Sequence, residues 1–169
     1  MTSVKVELRR VGPCAFEATN RQGHRIVLDG SPSLRERILE RVADPSVLPG
    51  AEQSAGTTQP PTPHEGAGLR PMELFLCSLA GCSAMDVVMI VTRQRQDLRE
   101  LRITATGQRA DATPAVYERI DLRFEAHGGS VDAKKLERAV ELAVTKYCSV
   151  AMMLKPDVAI GFETAVTPD

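Results

Sequence analysis

Residues 71–88 read PMELFLCSLAGCSAMDVV, and the rest of the chain is organised around this stretch. It opens with Pro71, the next proline is Pro114, and apolar or small residues fill nearly every position as far as Val91. Proline is favoured at the first position of a helix, and a helix that is apolar on most sides lies in a protein core. The stretch therefore predicts one long buried helix that carries Cys82 near its middle.

A second cysteine, Cys148, stands near the end of another amphipathic segment, where residues 146–154 read KYCSVAMML. A single thiol in a core helix is ordinarily a small apolar packing residue. Two thiols on two core helices suggest a redox pair.

Both cysteine segments resemble the two motifs of the OsmC/Ohr family. The matching residues are 71–74 and 80–88 around the first cysteine and 146–154 around the second, in the order and with the spacing of that family. The resemblance covers most of the chain, from the first strands to the last, except for an insertion at about residues 31–69. Gly23 and His24 resemble a Gly-His pair of a less-studied OsmC-like subgroup, which the chain resembles more than it resembles Ohr proper, although His24 is more ordinarily a polar strand residue.

The resemblance implies an α+β fold in which antiparallel sheets wrap around central helices in an intertwined homodimer. It also implies a thiol-dependent peroxidase of oxidative stress defence, without a cofactor, that reduces organic hydroperoxides or hydrogen peroxide. Cys82 would be the peroxidatic residue and Cys148 the resolving one. An external dithiol would reduce the disulfide between them.

The resemblance is incomplete where the thiol should be activated. The Ohr-type motif has an acidic residue directly after the proline, but Met72 stands there and Glu73 follows, a step of about 100° around a helix. Glu73 is either an alternative partner of the thiol or a favourable charge in a first helical turn. Arg25 is the arginine candidate that we name, with Arg21 and Arg70 as open alternatives, although exposed strand or loop arginines are ordinary.

Composition narrows the class of protein. At 169 residues, 43% hydrophobic and with a net charge of −1, the chain is long enough for one globular domain over residues 1–169, interrupted by the insertion. Mixed charges remove the usual argument for nucleic acid or an anionic membrane as a partner. The longest apolar run is far short of the ~20 residues of a membrane span, and the N-terminus carries no signal-peptide pattern. We therefore expect a cytoplasmic protein.

The other cysteines and the histidines indicate no further chemistry. There is no CxxC motif, and none of the three histidines has metal-ligand spacing with a cysteine, so no zinc site is expected. Cys14 and Cys77 are interpreted as structural residues, and Met152 and Met153 as core packing.

Periodicity predicts the order strands, helix, strands, helix, strand, which is typical of an α+β domain. A meander of three short strands comes first, with a turn at residues 20–23. A capping box of the form S-x-x-E at Ser33 then predicts a helix over residues 34–43. The remaining predicted elements are strands at residues 101–107 and 119–126, a helix from Ser130 or Asp132 that keeps Tyr147 on its apolar face, and a strand at 158–166.

Two alternative functions remain open at this point. A non-enzymatic member of the family could bind a small hydrophobic ligand, which the absent Ohr-type acidic residue favours and the cysteine pair opposes. A purely structural interaction domain is the third hypothesis. The Pro- and Gly-rich part of the insertion is either a surface loop or a pocket lid.

Overall fold

The structure, a computed structural model, describes residues 4–41 and 68–167. The chain divides into two compact units, Met1–Leu74 and Phe75–Asp169. Most of the predicted insertion lies outside the described residues. Its interpretation as loop or lid, and the single-domain organisation, therefore stay predictions.

The first unit contains a three-stranded antiparallel sheet in the order β1-β2-β3, as the alternating pattern predicts. Its strands are β1 (Val6–Arg10), β2 (Phe16–Asn20) and β3 (Arg25–Leu28). The turn between β2 and β3 is closed by the Asn20 side chain, which accepts hydrogen bonds from the backbone N–H groups of Gln22 and His24. Gly23 has φ 81°, a backbone conformation that favours glycine, so the predicted turn chemistry is confirmed.

A short helix, α1 (Pro32–Leu39), follows the sheet. Its N-cap is Ser31, whose hydroxyl accepts from the backbone N–H of Leu34 at 3.2 Å. The predicted capping box beginning at Ser33 is therefore wrong, because Ser33 lies inside the first turn. Pro32 explains the earlier start, since proline fits a position whose N–H needs no partner. The predicted end at residue 43 lies outside the described residues.

The long helix α2 (Pro71–Arg93) begins at the predicted proline and has 23 residues. One stripe along it is buried, and its members, four residues apart, are Leu79, Ser83, Val87 and Val91. Other apolar side chains of the same helix are exposed, including Met85 at 75%. The expectation of burial on most sides is thus not met within a single chain. By length and composition alone, α2 could cross a membrane. The core helices of soluble proteins meet the same criterion.

The second unit contains the sheet β4-β5-β6, with strands β4 (Glu100–Arg109), β5 (Tyr117–His127) and β6 (Ala159–Thr167). β4 and β5 form an antiparallel pair, whereas β5 and β6 are parallel. The α+β class is confirmed, but this sheet is mixed where antiparallel sheets were expected. The helices between β5 and β6 supply the long crossover that a parallel pair requires.

The core of this unit lies between the sheet and a helix. Every second residue of β5 from Ile120 to Ala126 is buried, and so are three residues of α3 (Ala133–Leu142). Those three are Leu136, Ala139 and Val140. α3 also contacts β6. Its N-cap is Asp132, which accepts from the backbone N–H of Lys135 at 2.9 Å, so one of the two predicted caps is confirmed.

A π-helical turn, Ala143–Tyr147, separates α3 from α4 (Ser149–Leu154). The backbone N–H of Cys148 donates to the Ala143 carbonyl, five residues earlier, at 2.8 Å. A π turn holds one residue more than an α turn, and such turns are frequent at functional sites. Tyr147, predicted on the apolar face, is consequently 49% exposed, and Cys148 is the residue that is buried.

Candidate functional site

The two predicted redox cysteines lie in the second unit. Cys82 is partly buried on α2, Cys148 is fully buried, and neither is in a disulfide. The Cys148 thiol points at the Leu79 carbonyl, with a sulfur–oxygen distance of 3.9 Å. Because Leu79 precedes Cys82 by three residues on α2, Cys148 packs against the part of the helix that carries the other thiol.

Local backbone geometry fixes the position of Cys148. The residue ends the π-helical turn and is the N-cap of α4. Its sulfur accepts a hydrogen bond from the backbone N–H of Ala151 at 3.4 Å. Contacts with both α2 and α4 therefore restrict the orientations that this thiol can adopt.

The electrostatics of Cys148 show what lies around its sulfur. Burial, the largest effect, raises the pKa of the thiol, because the charged thiolate is poorly solvated there. Ser83 and the Ala151 N–H lower this pKa, and the adjacent Cys82 thiol raises it. The structure therefore brings the two predicted cysteines together, both as free thiols.

Sequence reasoning missed Ser83. Its hydroxyl is fully buried and, within residues 4–41 and 68–167, makes no hydrogen bond of ordinary geometry. It nevertheless lies close enough to the Cys148 sulfur to lower the pKa of that thiol. The sequence feature that could have indicated Ser83 is its position four residues after Leu79, on the face of α2 that is buried in the core.

Glu73 and Arg25 lie in the first unit. A carboxylate oxygen of Glu73 accepts from the backbone N–H of Arg70 at 2.9 Å, a hydrogen bond that caps the start of α2. Arg25 forms an ion pair with Glu17 at 3.6 Å. Both residues thus have local partners, and their proposed parts in thiol activation stay predictions.

The other candidates also have ordinary surroundings. Arg21 and Arg70 are exposed, and the His24 ring lies 3.3 Å from the Asn20 amide. Cys14 is buried, and its thiol donates to the Asp29 carboxylate at 3.3 Å. Burial first, and then this hydrogen bond, raise the pKa of Cys14.

Three residues that the sequence assigned to packing are exposed within a single chain. They are Cys77, Met152 and Met153. The expectation that they fill a core is therefore not met by this chain alone. Each lies on a helix that also contributes residues to the buried interior, so the apolar positions of these helices exceed what one chain buries.

An apolar cavity of about 350 Å³ lies beside the π-helical turn, in the second unit. Met89, Ile90, Leu142 and Tyr147 line it, together with three polar residues, Asp86, Arg93 and Gln94. The outward position of Tyr147 supplies one wall. Among the described residues there is no cluster of three or more His, Cys, Asp or Glu side chains that could hold a metal ion.

The sequence and the fold are similar to those of known proteins. The family model described as OsmC-like protein matches residues 64–163, which include both cysteines. Protein YhfA of Escherichia coli K12 is 40% identical over 90 residues, or 53% of this chain and 67% of that protein. A hypothetical protein from Aquifex aeolicus VF5 has a similar structure, with a TM-score of 0.74 and 28% identity over 100% of this chain and 99% of that one.

A more distant structure shares the fold alone. An organic hydroperoxide resistance protein OsmC from Legionella pneumophila superposes with a TM-score of 0.59 and 14% identity, covering 98% of each chain. The family match spans more than half of the chain and contains both cysteine motifs. The chain therefore belongs to the family of OsmC-like proteins.

Proposed function

We propose that this protein is a thiol-dependent peroxidase that reduces organic hydroperoxides or hydrogen peroxide. The observation that carries the proposal is the pairing of a partly exposed Cys82 with a buried Cys148 on adjoining helical segments. A peroxide can reach the first thiol, while the second is protected from it. Membership of a family that includes organic hydroperoxide resistance proteins supports the same reaction class.

The first step takes place at Cys82. Its thiolate attacks one peroxide oxygen, the O–O bond breaks, and the departing alkoxide takes a proton to leave as an alcohol, or as water from hydrogen peroxide. Cys82 becomes a sulfenic acid, so the sulfur is oxidised by two electrons and the peroxide is reduced. We assign Arg25 and Glu73 to the activation of this thiolate, as the resemblance implies.

The second step joins the two cysteines. The Cys148 thiolate attacks the Cys82 sulfur, the S–O bond breaks, and hydroxide leaves and is protonated to water. The Cys82–Cys148 disulfide prevents further oxidation of the sulfenic acid. An external dithiol then reduces the disulfide by thiol–disulfide exchange and is itself oxidised.

The proposed protein is a cytoplasmic homodimer. Members of the family are commonly homodimers. The family match gives no indication of a membrane protein. The exposed apolar side chains of α2, Met85, Val88 and Met89, support a second copy as the partner. Burying such a surface is the main favourable contribution to protein association.

A ligand-binding function without turnover is the second candidate. The apolar cavity beside the π-helical turn favours it, because about 350 Å³ lies within the size range of small-molecule sites. In that case the cysteines would be packing or sensor residues. The ion pair of Arg25 with Glu17 and the capping role of Glu73 are also compatible with this alternative.

One experiment separates the two candidates. Reduced protein is titrated with cumene hydroperoxide and, separately, with hydrogen peroxide, and free thiols and the Cys82–Cys148 linkage are followed by mass spectrometry. A peroxidase consumes one equivalent of peroxide and forms the disulfide, which Cys82→Ser and Cys148→Ser each abolish. Cysteines that stay reduced in folded protein at millimolar peroxide would rule out the peroxidase and direct attention to the cavity.

A further inference from the structure

We propose that Ser83 is a positioning residue for Cys148, whose thiolate it stabilises by donating a hydrogen bond that the thiol form does not use. The effect on the disulfide-forming step rests on the proposed peroxidase function. The hydrogen bond itself does not, because it is a property of the reduced protein.

The first observation is the missing partner of the Ser83 hydroxyl. A serine inside a helix commonly donates to the carbonyl four residues earlier, which here belongs to Leu79. Ser83 makes no such bond, and its hydroxyl has no partner of ordinary geometry among the described residues, although it is fully buried. An unused buried hydroxyl is destabilising, so it calls for an explanation.

The second observation is that another side chain donates to the Leu79 carbonyl. The Cys148 sulfur lies 3.9 Å from the Leu79 oxygen and donates to it as a thiol. The Ala151 N–H, in α4, donates to the same sulfur. The Cys148 thiol therefore donates to the carbonyl that Ser83 would ordinarily use, and the Ser83 hydroxyl lies beside the sulfur.

Ionisation of Cys148 changes this set of partners. A thiolate has no proton to give, so its contact with the Leu79 carbonyl is lost, and the sulfur can only accept. Two donors then remain next to it, the Ala151 N–H and the Ser83 O–H. A hydroxyl rotates about one bond to reach a nearby acceptor, and hydrogen bonds to an ionised acceptor are the stronger kind.

Within residues 4–41 and 68–167, no charged side chain competes for this role. Among the described residues, the titratable group that acts on Cys148 is Cys82, from α2, and its charge opposes a second thiolate. The remaining influences are burial, the Ala151 N–H and Ser83. Ser83 is thus the side chain that favours the ionised form in which Cys148 attacks the Cys82 sulfenic acid. That attack forms the S–S bond and releases hydroxide, which is protonated to water.

The test measures the pKa of Cys148 in reduced protein that has never met peroxide. The protein is labelled with ¹³Cβ-cysteine, and the Cys148 resonance is followed against pH in the parent, in Ser83→Ala and in Ser149→Ala. Ser149 is an exposed neighbour of Cys148, so its variant removes a hydroxyl without altering the buried site. We expect the pKa of Cys148 to rise in Ser83→Ala alone, and disulfide formation at neutral pH to slow by about tenfold.

Urea denaturation supplies the second readout. Since the lost hydroxyl has no partner in the thiol form, Ser83→Ala should be at least as stable as the parent. An unchanged pKa of Cys148, an equal change in Ser149→Ala, or a Ser83→Ala protein that unfolds would each overturn the inference. A raised pKa in a protein that forms no disulfide would uphold it and contradict the peroxidase.

Discussion

The Cys148 sulfur lies 3.9 Å from the carbonyl oxygen of Leu79, so the second cysteine is held against the helix that bears the first. Leu79 is itself fully buried in the stripe of α2 that faces the core. The geometry of the cysteine pair therefore depends on packing between α2 and the segment that ends the π-helical turn. This dependence makes Leu79 a sensitive position.

We expect Leu79→Ala to lower the free energy of unfolding by about 2–5 kcal/mol, because it leaves a cavity in a packed core. Urea denaturation measures the loss. Leu8→Ala is the matched control, since it removes the same atoms from an exposed position and should change stability by no more than about 0.5 kcal/mol. Equal effects of the two substitutions would contradict the packing that we describe.

The rate of disulfide formation should rise with pH above neutrality. Burial raises the pKa of Cys148, so the reactive thiolate is a minor species at pH 7 and its fraction grows as the pH approaches that raised pKa. Stopped-flow measurements after one equivalent of cumene hydroperoxide, between pH 6 and 9, test this. A rate that is independent of pH over this range would show that ionisation of Cys148 does not limit the step.

Alkaline pH should destabilise the reduced protein through the same group. The pKa of Cys148 is raised in the folded state from 9.0, so above that value the unfolded chain has released a proton that the folded chain retains. Stability from this thiol is therefore complete below the unfolded pKa and declines as the pH rises through 9.0 toward the folded pKa. Urea denaturation at several pH values should give a shallower decline in Cys148→Ala. Parallel curves for variant and parent would contradict the shift.

We expect Met85→Glu to prevent self-association. Met85 is the most exposed apolar residue of α2 in a single chain, and a carboxylate there would be costly to bury. Sedimentation velocity should show a dimer for the parent and a monomer for the variant. Val116→Glu, an equally drastic change at an exposed position before β5, is the control and should remain dimeric. A dimeric Met85→Glu would place the interface elsewhere.

Glu73 can be tested with two substitutions. We expect Glu73→Ala to lower the free energy of unfolding by about 1 kcal/mol, because the N–H of Arg70 loses its capping acceptor. Glu73→Gln keeps a side-chain oxygen and should lose less. The rate of Cys82 oxidation is measured in parallel. A tenfold slower oxidation in both variants would assign Glu73 to thiol activation, as the resemblance implies, in addition to its capping role.

The elements that depend on local pattern could be predicted from the sequence. Alternating strands, the start of α2 at Pro71 and the cap at Asp132 all follow from interactions within a few residues. The proximity of Cys82 to Cys148 could also be predicted, because both thiols stand in recognisable motifs. The parallel pairing of β5 with β6 could not, since it depends on the path of the crossover rather than on either strand.

Ser83 could not be assigned from the sequence for a similar reason. The Ser83 hydroxyl makes no hydrogen bond to the Leu79 carbonyl, whereas the Cys148 thiol does. That arrangement depends on the approach of Cys148, which is distant in sequence, to Leu79. The exposure of Met85 and Met153 in a single chain could not be predicted either. An apolar pattern predicts that a surface is covered, but it does not indicate whether the same chain or a second one covers it. Tertiary context decides both.

The π-helical turn decides which of the residues after it faces the long helix. If residues 143–148 formed an ordinary α-helix, the N–H of Tyr147, and not that of Cys148, would reach the Ala143 carbonyl, and the following positions would be rotated by about 100°. The phenol of Tyr147 would then lie where the thiol of Cys148 lies now. The extra residue of the turn is thus an insertion that the backbone absorbs, so deleting one codon between Val144 and Lys146 should restore α-helical spacing and still leave Cys148 facing α2.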